Sequence, residues 1–277
     1  MTELLKIEWL KIKNYSAFIV LSLFFALGVV GANYAVYIFK TNVIDKSDPT
    51  PGLISSIKFY DFAHTWQTTS YVSGFLLLLP GLLLILLITN EFNFRTHRQN
   101  ILDGWSRSEF FNVKLALVVI AALASTLLVF LTGLVFGFAS GTSFSFENIE
   151  AVGYFFLKSL TYNMVALLFG VLIRKTGFAI GLYFVYMFFE NFISALLEGL
   201  SFYLKVQNGF DIGNMGDYLP MNASDALLTF PKNVVTDMAK NSSVAPHTYN
   251  WLIFGLAILY LAIFYVWSRS RIIKTDL

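Results

Sequence analysis

The sequence predicts an all-α membrane protein with six transmembrane helices, and three observations predict it. Hydrophobic residues make up 57% of the 277 residues and charged ones only 13%, far from the balance of soluble domains. Several apolar runs reach the ~20 residues that cross a hydrocarbon layer ~30 Å thick. The charges that remain gather in short segments between those runs.

The spans fall at roughly 16–39, 71–90, 112–138, 152–173, 177–199 and 249–268. Each is apolar around most of its circumference, as lipid-embedded or bundle-core helices must be. The first run is too long for a cleaved signal, and no small-residue cleavage site follows it. Pro80 inside the second span predicts a kink. Tyr15, Tyr34, Tyr37, Tyr71, Trp251 and Trp267 are read as an aromatic belt at the span ends. The whole chain, 1–277, is read as one transmembrane domain. Its N-terminal stretch 1–15 forms an interfacial helix, since Lys and Trp suit the headgroup zone.

An even number of spans puts both ends of the chain on one side. With the ends inside, twelve of the nineteen Lys and Arg residues lie in inner segments and six in outer ones. That bias predicts cytoplasmic termini. Two outer segments are substantial, about 40–70 and about 200–248. The second, rich in Gly, Pro, Asn and Ser, is expected to form short helices over the outer mouth. Asn222-Ala223-Ser224 and Asn241-Ser242-Ser243 match the glycosylation acceptor triplet, a pattern frequent by chance.

The inner loop 91–106 is the most informative segment. On a helical wheel, Phe94, Ile101, Leu102 and Trp105 share one side, with Thr96, Gln99, Asn100 and Asp103 opposite. Gly104 is a natural stop, because glycine tolerates the left-handed conformation that ends helices. Ser106 and Glu109 then read as a capping box that opens the third span. The loop is therefore expected to be a short helix, a corner and a freshly capped helix. A loop whose arginines only enforce topology needs no such boundaries; a docking element does.

The apolar span, Glu91, the short polar helix from Arg95 to Asp103, Ser106-Arg107 and Lys114 together resemble the permease subunits of ABC-2-type transporters. The six spans, the N-terminal helix and the long outer segment before the last span extend the resemblance over nearly the whole chain. It implies that the inner loop is a coupling helix docking on a separate cytosolic ATPase. Glu91, Arg95, Arg98, Gln99, Asp103 and Arg107 are its candidate coupling residues. It further implies two ATPase copies and a second permease, identical or related. The setting is a bacterial inner membrane, with outward movement of a hydrophobic, peptide or lipid-like cargo. No cofactor is expected in this chain. Its sequence has no Gly-x-x-x-x-Gly-Lys-[Ser/Thr] phosphate loop, so ATP and Mg would be held by the partner. Membrane lipid is the other expected partner, and nucleic acid is not one.

Charges inside spans are costly unless paired or hydrated. Lys158 and Glu190 each lie ~20 Å above the inner ends of consecutive spans, which predicts a Lys158–Glu190 pair assisted by Asn163 and Asn191. Two roles stand side by side: an ion pair that fixes helix register, or a transport route or outer gate lined by Glu190, Glu198, Asn163 and Asn191. His64, His97 and His247 have no partner at metal-ligand spacing, and no protease pattern occurs. Catalysis within the chain and a metal site are therefore not expected. The competing function is an ion-gradient-driven carrier or channel that needs no ATPase. A non-transporting membrane scaffold is the third class.

Overall fold

A computed structural model describes residues 2–44, 60–231 and 248–274. Among them, six helices are long and apolar enough to cross a membrane. In chain order the helices are α1 (Thr2–Ile12), α2 (Ser16–Phe39), α3 (Phe62–Gly74), α4 (Leu78–Asn93), α5 (Thr96–Leu102), α6 (Arg107–Ala139), α7 (Glu150–Ile173), α8 (Thr176–Asn208), α9 (Asn222–Asp225) and α10 (Asn250–Lys274). No strand occurs among the described residues. The membrane-crossing candidates are α2, α3 with α4, α6, α7, α8 and α10.

The core is organised around α7. Every side chain from Thr161 to Val171 is buried, because α3, α4, α6, α8 and α10 all pack on it. Helices in lipid gain little from apolar burial alone, so close contact matters and small residues mark the crossings. Gly81 of α4 faces the Tyr183 ring of α8, and Gly133 and Gly137 of α6 face Trp66 and Phe62 of α3. Trp66 also stacks on Phe130, ring centroids 5.3 Å apart. The outer faces of α2, α8 and α10 carry exposed Phe, Leu, Ile and Trp, as lipid-facing surfaces would.

Three expectations need correction. The second span begins at Phe62, not near 71, so α3 and α4 form one 32-residue crossing. This also moves Tyr71 from a span end to the interior and His64 from a loop into α3. The polar run is accommodated in the helix because its hydroxyls bond back to carbonyls one turn earlier: Thr65 to Asp61 O, Thr68 to His64 O and Thr69 to Thr65 O. Such back-bonding gives each hydroxyl an acceptor within its own helix. Second, the irregularity sits at a 3₁₀ turn, Phe75–Leu77, rather than at Pro80 itself. A proline ring collides with the carbonyl four residues earlier, here Leu76, so the helix tightens there. Third, α8 continues to Asn208, nine residues beyond the apolar run. Of the residues that follow, the described ones, 209–231, fold back against α8, and 232–247 lie outside the described residues. Residues 45–59, Asn241 and His247 lie outside the described residues.

Candidate functional site

α4 ends at Asn93, and Arg95 adopts a left-handed conformation (φ 58°) that turns the chain into α5. α5 ends before Gly104, whose φ of 100° is open to glycine at little cost. Ser106 then starts α6 with both halves of the capping box: its Oγ accepts from Glu109 N at 3.2 Å, and Glu109 Oε2 accepts from Ser106 N at 2.8 Å. The corner foreseen at Gly104–Ser106 is thus present, built from the residues that predicted it.

The inner face of α5 is fastened to the bundle. His97 Nδ1 lies 3.0 Å from Glu91 O of α4, and Asn100 Oδ1 accepts from Lys11 Nζ of α1. His97 and Asn100 are buried, so Asn100 leaves the expected polar face and His97 is not a solvated loop histidine. Below α5 lies a compact charge cluster. Lys114 Nζ sits 2.6 Å from Glu8 and 2.7 Å from Glu91. Lys11 Nζ lies 2.9 Å from Glu8, 3.3 Å from Glu91 and 3.4 Å from Asn100 Oδ1. Two acids and two bases from α1, α4 and α6 therefore neutralise one another, and Lys114 is only 2% exposed. Burial alone would push the Glu8 carboxyl up, but the adjoining Lys114 and Lys11 outweigh it and bring it below the usual 4.5. Burial would likewise lower Lys11, yet Glu91 and Glu8 raise it above 10.5.

The six candidate coupling residues therefore divide. Glu91 is turned inward as part of the cluster, and Arg107 donates to Ile273 O of α10 at 2.8 Å. Arg95, Arg98, Gln99 and Asp103 are exposed together, with Gln99 Nε2 donating to Asp103 Oδ1 at 3.0 Å. Beside them stand Phe94, 76% exposed, and Leu102, 81% exposed. The outward surface of α5 is thus a mixture of two bare apolar side chains and four polar or charged ones. Sequence reasoning did not select Glu8, Lys11 or Lys114 as site residues. The available signal was a lysine eight residues into a helix of the third span, which needs an acid nearby.

At the far end of the bundle, Lys158 does not pair with Glu190. Its Nζ lies 3.3 Å from Asp225 Oδ1, and Tyr162 Oη donates to Asp225 Oδ2 at 2.9 Å. Glu190 Oε1 instead accepts from the backbone N–H groups of Met221 and Asn222, the latter at 2.9 Å. The two charges do lie at one height, ~22 Å and ~21 Å from the α5-side ends of α7 and α8. What intervenes is α9, which is held at its start by Glu190 and at its end by Lys158. By the same rise, Lys158 is ~12 Å in from the other end of α7, so α9 is set well within the helix bundle. Non-helical backbone at such depth is tolerated where protein surrounds it, and Asn222, Ala223 and Ser224 are buried. Burial of Asn222 also withdraws one of the two glycosylation triplets from the surface.

The helper residues separate as well. Asn191 is exposed and donates to Met187 O at 2.8 Å on its own helix. Asn163 is buried on α7, where its side-chain amide, Ser159 Oγ and Ser70 Oγ have no hydrogen-bond partner among the described residues. Glu198 is exposed, and its side chain adjoins Gly216. Its charge adds to burial in pushing Asp217 up to about 6, against a hydrogen bond from Asn214. Higher still, Lys205 and Asp211 close an ion pair at 2.7 Å. Compared with known proteins, the chain matches no family model and no curated protein.

Proposed function

We propose that this chain is the membrane-spanning permease subunit of an ATP-binding cassette exporter, coupled through α5 to a separate cytosolic ATPase. The observation that carries the reading is the two-sided construction of α5. Its outward face presents Phe94 and Leu102 among Arg95, Arg98, Gln99 and Asp103, while its inward face is bolted to a four-charge cluster in which Glu8, Glu91 and Lys114 are buried. An exposed apolar anchor ringed by charge is the composition of a docking surface. A helix tied by its back face to α1, α4 and α6 would pass a push into the bundle rather than absorb it.

On this reading the α5 side faces the cytosol, in line with the Lys and Arg bias. Two ATPase copies close on ATP and Mg that they themselves hold. Two permease chains, identical or related, then rock against each other and move a hydrophobic, peptide or lipid-like cargo outward. The membrane is the cytoplasmic membrane of a bacterium.

Affinity purification from the native host tests this. The expected result is a stoichiometric cytosolic ATPase that is lost in an Arg98→Glu/Asp103→Arg variant and in Leu102→Asp, both still inserted in the membrane. Transport by the purified chain alone, driven by a proton gradient, would overturn the reading in favour of a secondary carrier. So would an intact complex in both variants.

A further inference from the structure

Between α2, α4 and α6 lies a groove of about 440 Å³ whose walls are apolar apart from two serines, Ser22 and Ser125. We propose that it holds one acyl chain of a membrane phospholipid from the leaflet on the α5 side. The proposal goes beyond the transport reading and does not depend on an ATPase.

Its dimensions select the occupant. The α6 wall runs from Leu117 to Leu128 and the α4 wall from Leu87 to Leu79, ~16 Å and ~12 Å at 1.5 Å per residue. Half of a hydrocarbon layer ~30 Å thick is ~15 Å. The groove is therefore about as long as one leaflet is deep, the reach of one chain of one leaflet. A globular ligand would not need that length.

Its two ends have different chemistry. The floor at the surface is α1, which turns Leu5, Trp9 and Ile12 into the groove, residues spaced to share one helix face. Lys6 and Lys13, in the same N-terminal stretch, are exposed. Ammonium groups there suit a phosphate, and a tryptophan suits the boundary it occupies. The side of the groove is open: Ile120 stands half exposed at the rim between α2 and α6. A lipid chain can enter sideways from the bilayer while its headgroup stays at the surface. The volume falls within the range of specific ligand pockets, and an apolar groove facing hydrocarbon has no access to water that could fill it.

The test uses the full chain in phospholipid vesicles that contain a phospholipid with a photoreactive diazirine at mid-chain. Adducts are mapped by peptide mass spectrometry. They are expected to concentrate several-fold on the 79–87 and 117–128 walls relative to the equally apolar lipid face of α10 around Ile263. Ala121→Trp, or Ala26→Phe on the facing wall, should reduce the groove adducts several-fold and leave those on α10 unchanged. Ala262→Trp on α10 should leave the groove adducts alone. Wild-type adducts spread in proportion to exposed area would overturn the proposal without any variant. Groove labelling that persists in a folded Ala121→Trp or Ala26→Phe protein would overturn it equally.

Discussion

Lys114, buried, and Asp217, half-buried, show how differently a charge behaves when it is matched and when it is crowded. Lys114 has two carboxylates within 2.7 Å. Replacing it by methionine strands Glu8 and Glu91, and removing one partner from a buried ion pair costs about 3–5 kcal/mol. Lys114→Met should therefore lower the melting temperature in detergent markedly. Adding Glu91→Gln should recover part of the loss; no recovery would mean that the charges are not coupled. The cluster also sets a pH window. Glu8 sits below its ordinary value, so its contribution is present above pH 4.5 and is lost as pH falls further. Lys11 sits above its own, so its contribution holds below pH 10.5 and disappears as pH rises through the folded value. Asp217 has the opposite sense for an acid. The folded chain holds its proton up to about pH 6 against 3.8, so stability of the segment folded on α8 declines as pH rises through that interval. Protease protection of residues 210–231 should weaken between pH 4 and about 6, and Asp217→Asn should abolish the dependence.

At the scale of elements, packing rests on places where a side chain is missing. A Cβ on Gly137 would come within 2.8 Å of the Phe62 ring, and that ring is buried among Trp66, Phe138 and Phe144. Gly137→Ala should cost about 1–3 kcal/mol by overpacking, read as a lower melting temperature, with Phe62→Leu as a compensating second change. What was legible in the sequence follows the same physical line. Gly104, Ser106 and Glu109 announced their corner because turn and cap chemistry is local. Apolar runs announced the crossings because length in hydrocarbon is a property of composition. The first half of the second crossing was hidden, since Thr65, Thr68 and Thr69 look like loop residues until their back-bonds are seen. α9 was hidden for a stronger reason. A four-residue helix has no periodicity, and Asp225 acquires its meaning only from Lys158, 67 positions earlier. The inward turn of Glu91, Asn100 and Arg107 was likewise a matter of partners from α1, α6 and α10, which no local pattern reports.

At the scale of the molecule, the bundle is polarised. One end carries α1, α5 and a neutral four-charge cluster; the other carries α9, the Lys205–Asp211 pair and the crowded Asp217. Which end meets the cytosol is open to a direct check because the chain has no cysteine. Arg98→Cys and Gln207→Cys, made singly, should react with a membrane-impermeant maleimide from opposite sides of intact cells. Gln207→Cys is expected to label from outside and Arg98→Cys only after permeabilisation. The reverse pattern would place α5 outside the cell and remove it as a docking surface for a cytosolic ATPase.

The clamp on α9 also dictates an order of assembly. During synthesis, α7 and α8 emerge before the residues that hold Lys158 and Glu190, and Asp225 follows Glu190 by 35 positions. For that interval the nascent chain carries a lysine and a glutamate in the bilayer without their final partners, and a charge at mid-membrane costs about 2.5–3.5 kcal/mol on insertion scales. The two helices must therefore be sheltered, by each other or by the insertion machinery, until the returning segment reaches them. Docking of α9 is then the step that completes this half of the protein, and a chain halted before residue 221 would leave Lys158 and Glu190 without the partners that hold them.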